Sequence, residues 1–298
     1  MTNTLSDLIC FNQTEIAHDK DNIFILDRHS THEGTWSTLQ VTSGELNLSF
    51  TDSNNNQLAT HCLNCITPPF LIPPALMHTI EPITESFYAK LDFYCKPHRY
   101  FHKKYNMNAV HEDLVYCYDN YLKNANPLNI LDIGCGSGRN SLFLTLMGHQ
   151  VTALDIQLKQ LENINHLAIF EKFKNIETIH HDLNVALPFR DHQFDFILST
   201  VSLQFLKPER IPGLLLTLRD LTSTGGKHLM VFPVLSDRFS LPDTFTFLPE
   251  SGELLKNYQD AGWSVLEYKE SIGKLHRNDE SGRPIQGLFA FLLVEKPW

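Results

Sequence analysis

Short apolar runs, each ending in a turn residue or an acid and followed by a helical spacing of apolar positions, recur from about residue 128 to the end of the chain. Leu128 and the run 130–133 read as a buried strand. After it, Leu142/Leu146 and Phe143/Met147 form i,i+4 pairs, as on one face of a helix. Further strands are expected at 151–154, 176–181, 194–200 and 227–233, with helices at 157–170 and 209–221 between them. Strand–helix alternation of this kind predicts a parallel sheet. A helix is expected at 252–261, then two late strands at 265–268 and 288–294; with no helix between these, they should pair antiparallel. Upstream, a helix is expected from about Asn108 to Lys123.

The first 95 residues follow another pattern. Runs at 23–26, 36–41, 45–51, 58–63 and 87–94 are β-prone, and Glu45-Leu46-Asn47-Leu48-Ser49-Phe50 alternates polar with apolar, as a half-buried antiparallel strand should. Asp52-Ser53-Asn54-Asn55-Asn56 is a turn cluster, and Pro68-Pro69 and Pro73-Pro74 break the chain without helix. Several short strands without helical period predict a small all-β barrel or sandwich. Cys95-Lys96-Pro97 is the expected joint, giving a β domain at 1–97 and an α/β domain at 98–298.

Composition narrows the partners. The chain has 298 residues, 42% hydrophobic and 19% charged, enough for two cored domains. A net charge of −10 and the absence of any run of four Lys/Arg argue against a nucleic-acid partner. MTNTLSDLICF has neither the basic start nor the apolar core of a signal peptide, and no apolar stretch approaches the roughly 20 residues of a membrane span. Six scattered cysteines then imply free thiols and a cytoplasmic location. No metal is expected: His29, His32, Glu33 and His78 lack a His-x-His pair with a following glutamate, and Cys62-Leu63-Asn64-Cys65 is a lone CxxC leading into prolines.

The chemistry gathers after the first strand of the α/β domain. Asp132 is followed by Gly134, Gly136 and Gly138, and Arg139-Asn140-Ser141 opens the helix. A dinucleotide fingerprint needs glycine where Arg139 stands. The G-x-G-x-G spacing with an acid before it resembles motif I of class I S-adenosylmethionine (SAM) methyltransferases. In an open α/β sheet the ligand crevice lies outside the carboxyl ends of the strands. Asp155 ends the second strand, where a carboxylate can accept both ribose hydroxyls. Asp182-Leu183 ends the third, where an acid and a backbone N–H can read an adenine.

ILDIGCGSGRNSLFLTLMGHQVTALD, FDFILSTVSLQFL, the IPGLL helix with Gly-Gly before the fifth strand, and GKLHRNDESG together resemble the TehB family of tellurite-resistance methyltransferases. The resemblance spans roughly 100–296, and the N-terminal part resembles the cupin-like domain that longer members carry. It implies a class I SAM methyltransferase fold, Rossmann-like, with a mostly parallel seven-stranded sheet whose last strand is antiparallel, preceded by a small cupin-like barrel. It implies SAM as cofactor, contacted by Tyr105, His111, Asp132, Gly134, Gly136, Gly138, Arg139, Asn140, Asp155, Ile156, Asp182, Leu183, Thr200 and Val201. It implies methylation of a small oxyanion such as tellurite or selenite, with His276 and Arg277 near the transferred methyl and Phe205 and Phe247 as apolar walls. A second family arginine falls where this chain has Pro284; Arg283 stands one residue earlier. A homodimer is compatible with the family. Two alternatives stay open: a methyltransferase of a small organic thiol, nitrogen or oxygen nucleophile, and a non-catalytic SAM or ligand sensor.

Overall fold

The structure is a computed structural model that describes residues 5–18, 23–190, 193–278 and 281–298. The chain divides into two compact units, Met1–Met107 and Asn108–Trp298.

The first unit is an antiparallel β domain of two sheets. Strands β1 (Ile9–Ala17), β2 (Trp36–Ser43), β3 (Glu45–Thr51), β4 (Gln57–Asn64), β5 (Phe70–Ile72), β6 (Met77–Pro82) and β7 (Tyr88–Cys95) arrange as β1-β7-β2-β5 and β4-β3-β6. The alternation read in 45–51 is real: Leu46, Leu48 and Phe50 are buried, and they join Leu39, Val41, Ile80 and Leu91 in one core. The turn after β3 forms because the Asp52 carboxylate accepts from the N–H groups of Asn54 and Asn56, both at 2.8 Å. Residues 23–26, expected as a strand, form a 3-10 turn instead, a short apolar run being ambiguous in period. Helix α1 (Tyr100–Tyr105) closes this unit and stops at Asn106, whose φ of 54° is left-handed.

The second unit carries strands β8 (Asn129–Ile133), β9 (Gln150–Asp155), β10 (Ile176–His180), β11 (Phe194–Thr200), β12 (Thr222–Val234), β13 (Ser264–Asn278) and β14 (Pro284–Glu295). They form one seven-stranded sheet in the order β10-β9-β8-β11-β12-β14-β13. The first five in that order are parallel, and β14 is antiparallel to both β12 and β13. Helices α2 (Glu112–Cys117), α3 (Arg139–Leu146), α4 (Leu158–Phe170), α5 (Ile211–Asp220) and α6 (Glu253–Asp260) accompany it. This is the mostly parallel sheet with antiparallel final pairing that the apolar runs predicted.

Alternation along each central strand sends side chains to two cores. Leu131, Ile133, Ile197, Met230 and Phe232 pack with Leu214, Leu218, Leu254 and Tyr258 of α5 and α6. Ile130, Phe196, Leu198, Leu229 and Val231 pack with Leu114 of α2 and Phe143 and Leu144 of α3. Burial on both faces explains why these strands read as unbroken apolar runs. The helix expected from Asn108 starts only at Glu112, because His111 is extended (ψ 129°) and its Nδ1 accepts from the Asp113 N–H at 3.3 Å. The turn that follows, Tyr118–Leu122, is π-helical. Among the described residues, no helix is long and apolar enough to cross a membrane.

With its own two-sided core, the α/β part should fold alone. A chain of residues 98–298 is expected to unfold in a single cooperative thermal transition and to keep its near-ultraviolet circular dichroism. A molten or aggregated product would show that its core depends on the β domain.

Candidate functional site

The site is built at the carboxyl ends of β8, β9, β10 and β11. Here Asp132 lies on β8, and the chain turns through Gly134–Gly138 into α3. The turn is pinned to the end of β9: Gly134 N–H and Cys135 N–H both donate to the Leu154 carbonyl, at 2.8 and 2.9 Å. Gly136 N–H then donates to Asp155 Oδ2 at 2.8 Å. The flanking glycines are required by close packing. A Cβ on Gly134 would lie 2.5 Å from the Ser202 Cβ, and one on Gly138 would lie 2.5 Å from Ile164 Cγ1. Gly136 differs, for at φ +53° a Cβ there would meet nothing within 4 Å. The centre of the loop therefore presents bare backbone to open space, where a ligand can lie against it.

Asp155 is a buried carboxylate with both oxygens engaged by backbone, since Gln157 N–H donates to Oδ1 at 2.8 Å. A carboxylate offers about four acceptor positions, so it can hold this loop and still accept two hydroxyls. Asp132 is buried more deeply. Ser141 Oγ donates to its Oδ2 at 2.5 Å, while Oδ1 is buried with no hydrogen-bond partner in the described structure. Burial drives its pKa up to about 7, opposed by the Ser141 bond and raised slightly further by Asp155.

At the end of β10, Asp182 organises a tight turn. Its Oδ1 accepts from Asn184 N–H at 2.8 Å and from Asn184 Nδ2 at 3.0 Å. Leu183 is buried, and its Cδ1 lies 3.9 Å from the Cβ position of Gly134, so this turn and the glycine loop adjoin. Ile156 is exposed beside them, its carbonyl bonded to His180 Nε2 at 2.9 Å. At the end of β11, Val201 has a left-handed φ of 57° despite its β-branched side chain. It is held there by its N–H on Val231 O at 2.7 Å and by Gln204 Nε2 on its own carbonyl at 2.7 Å. Backbone forced into this region costs energy and is typical of ligand sites.

Several expected cofactor residues turn out to bond to each other. Asn140, buried at the start of α3, accepts from His111 N–H at 3.1 Å and donates to Thr200 Oγ1 at 2.8 Å. Arg139 Nη1 donates to Ala109 O at 3.1 Å. Together they fasten the segment before α2 to the glycine loop and the end of β11. Tyr105 belongs to the first unit, stacked on Phe101 with ring centroids 6.1 Å apart.

His276 and Arg277 stand near the end of β13, and their side chains lie outside the described residues. Asn278 pairs with Pro284 through the backbone, and next to that pair in sequence stand Arg277, in β13, and Arg283, just before β14. Arg283 is exposed and its Nε donates to Ser281 Oγ at 2.8 Å. Phe247 is buried, while Phe205 is half-exposed and meets Phe245 edge-on at 5.3 Å. Ser202 and Gln204, inside the stretch FDFILSTVSLQFL, and Arg210 beyond it brace the strand ends, a role that the sequence reading did not assign to them.

Family models match both units. One described as "Tellurite resistance protein TehB" matches residues 93–293, and one described as "TehB-like domain" matches 19–91. A "Probable S-adenosyl-L-methionine-dependent methyltransferase TehB" of Haemophilus influenzae is 36% identical over 295 residues, covering 98% of this chain and 99% of the relative. The crystal structure of TehB from Haemophilus influenzae superposes with a TM-score of 0.89 at 34% identity, covering 99% of this chain and 100% of that one. A Bacillus YcgJ structure at 14% identity and TM-score 0.50 covers 63% of this chain and shares the fold alone.

The raised pKa of Asp132 has a consequence for stability. Its folded-state value lies above the unfolded one, so the folded state favours the protonated acid, and stability is lost as pH rises from about 4 through about 7. Asp132→Asn keeps an acceptor for Ser141 and removes the buried charge. Above pH 7 the ligand-free variant should therefore be more stable than the parent, by on the order of 2–4 kcal/mol. The difference should vanish near pH 4. Thermal unfolding across that pH range checks this; a variant less stable at every pH would contradict it.

Proposed function

The chain belongs to the TehB family of SAM-dependent methyltransferases, and from that membership we propose that it methylates a small oxyanion of the tellurite or selenite type. The residues fit the cofactor. The open face of Gly136 admits a ligand against backbone, and Asp155 has acceptor capacity for two ribose hydroxyls. Asp182 and the Leu183 N–H would receive the adenine, with Ile156 and Val201 as walls. Asn140, Arg139 and Thr200 act by fixing the segment around His111. When bound, SAM would supply a sulfonium methyl for in-line attack by a lone pair of the acceptor, with the methyl–sulfur bond breaking and S-adenosylhomocysteine leaving.

No proton need leave a chalcogen nucleophile, so the chain's task is to align the acceptor and keep water out. The observation that carries the oxyanion reading is the hairpin end, where the Asn278–Pro284 pair is flanked by Arg277 on β13 and by Arg283 just ahead of β14. Guanidinium groups suit a compact anion because they donate two parallel hydrogen bonds as well as charge. His276 stands next to Arg277 in the same strand.

Two variants test the two halves of this reading. Asp155→Ala should weaken SAM binding by roughly 2–3 kcal/mol, through lost hydrogen bonds to the ribose and a loosened glycine loop. Calorimetric titration measures it, and an unchanged dissociation constant would confine Asp155 to the fold. Arg277→Lys keeps the charge and loses the fork. Single-turnover methylation of tellurite should fall by on the order of a hundredfold, with SAM affinity nearly intact. Near-normal turnover would remove Arg277 from the acceptor site, and equal losses of binding and turnover would place it on the cofactor.

A further inference from the structure

We propose that Arg210 is a positioning residue for the adenine end of the cofactor site, setting cofactor affinity and base selection without touching the cofactor. The proposal rests on the reading that Asp182 and Leu183 receive the adenine. Arg210 ends the short turn Pro208–Arg210 that leads into α5. Its guanidinium donates from Nε to the Leu183 carbonyl and from Nη2 to the Val185 carbonyl, both at 2.9 Å. A planar fork of fixed geometry thus spans two carbonyls in the turn that follows β10. A second tether runs beside it. Lys207 N–H donates to Asn184 Oδ1 at 2.9 Å, and the same side chain holds Asp182 Oδ1 through its Nδ2.

These bonds fix the two groups that would read the base. The Asp182 carbonyl accepts from Val185 N–H at 3.1 Å. In a trans peptide, C=O and N–H point opposite ways, so the Leu183 N–H is turned out of the loop. Asp182 Oδ1 is occupied by Asn184, which sets the carboxylate's rotation and leaves Oδ2 to face elsewhere. The position of Arg210 makes little sense as helix stabilisation. A cation at the start of α5 is disfavoured by the helix dipole, and the partners of the fork are neutral carbonyls of another segment.

Without the fork the turn would sample other arrangements, and apparent affinity falls in proportion to the fraction that remains competent. Ligands that gain nothing from the ordered turn should not notice. S-inosylhomocysteine, whose base has an oxygen where adenine has its amino group, is such a probe; S-adenosylhomocysteine is its natural counterpart. On the full-length chain, Arg210→Lys should lower affinity for S-adenosylhomocysteine about tenfold and leave the inosine compound within about twofold, so base discrimination collapses. Turnover at saturating SAM should be retained. A merely structural role would lower both affinities together or neither.

Asp182→Asn, run in parallel, separates this proposal from the reading beneath it. Discrimination lost in Asp182→Asn but kept in Arg210→Lys overturns the brace alone. Discrimination kept in both overturns the adenine assignment and the brace with it. Discrimination lost in Arg210→Lys supports the brace, with the Leu183 N–H as the reader if Asp182→Asn keeps it. Should Arg210→Lys fail to fold, Asn184→Ala cuts the neighbouring tether and is expected to lose discrimination in the same way; a retained preference there counts against the proposal.

Discussion

The arrangement on which the proposed function rests depends on one hydrogen bond, from Gly136 N–H to the Asp155 carboxylate. It ties the loop after β8 to the end of β9, where the proposed cofactor crevice would lie. The bond is charge-assisted and largely withdrawn from water, hence stronger than an ordinary backbone contact. Leu154 reinforces it by taking two further loop N–H groups on one carbonyl. The adjoining turns then follow. Asp182 caps its own loop against Leu183, Ser202 donates to Ile133 O at 2.9 Å, and Asn140 draws in His111.

The same crevice holds groups that work against stability. Asp132 is buried with one oxygen unpaired, Val201 sits at positive φ, and Gln204 has a buried Oε1 with no hydrogen-bond partner among the described residues. All three lie at or just beyond the carboxyl ends of two neighbouring strands, β8 and β11, and mark where the fold has given up local comfort. The two-sided core of the sheet supplies the stability that such a site draws on. Away from these strand ends His228, held neutral by burial with its pKa lowered to about 3, bonds Thr222 on one side and Tyr258 on the other.

The glycine loop and the first two strand-end acids, Asp132 and Asp155, were legible in the sequence because each ends a largely buried apolar run, whereas Asp182 follows the edge strand β10, whose residues are only half-buried or exposed. Such runs are readable when both faces of a strand are covered. Where burial is partial the signal fails. β13 continues to Asn278, well past the apolar stretch 265–268, because its later residues are exposed or half-buried along a sheet edge and show no clean alternation. β1, β5 and β6 escaped notice for related reasons: ICFNQTEIA is mixed in polarity, FLI is only three residues, and MHTIEP sits among prolines. Arg139 and Asn140 were expected to contact a cofactor, and the fold shows them bonding Ala109, His111 and Thr200, contacts that leave no mark in a single sequence. Arg210 lay beyond reach altogether, because a bond to main-chain carbonyls leaves no pattern in a single sequence.

The central claim is that the crevice floored by Asp155 is the cofactor site. A crystal structure of the full-length chain with S-adenosylhomocysteine tests it most directly. The account predicts both ribose hydroxyls on the Asp155 carboxylate, the backbone of Gly136 against the ligand, and the adenine beside Asp182 and Leu183. A nucleoside bound elsewhere, or a ribose that does not meet Asp155, would contradict it.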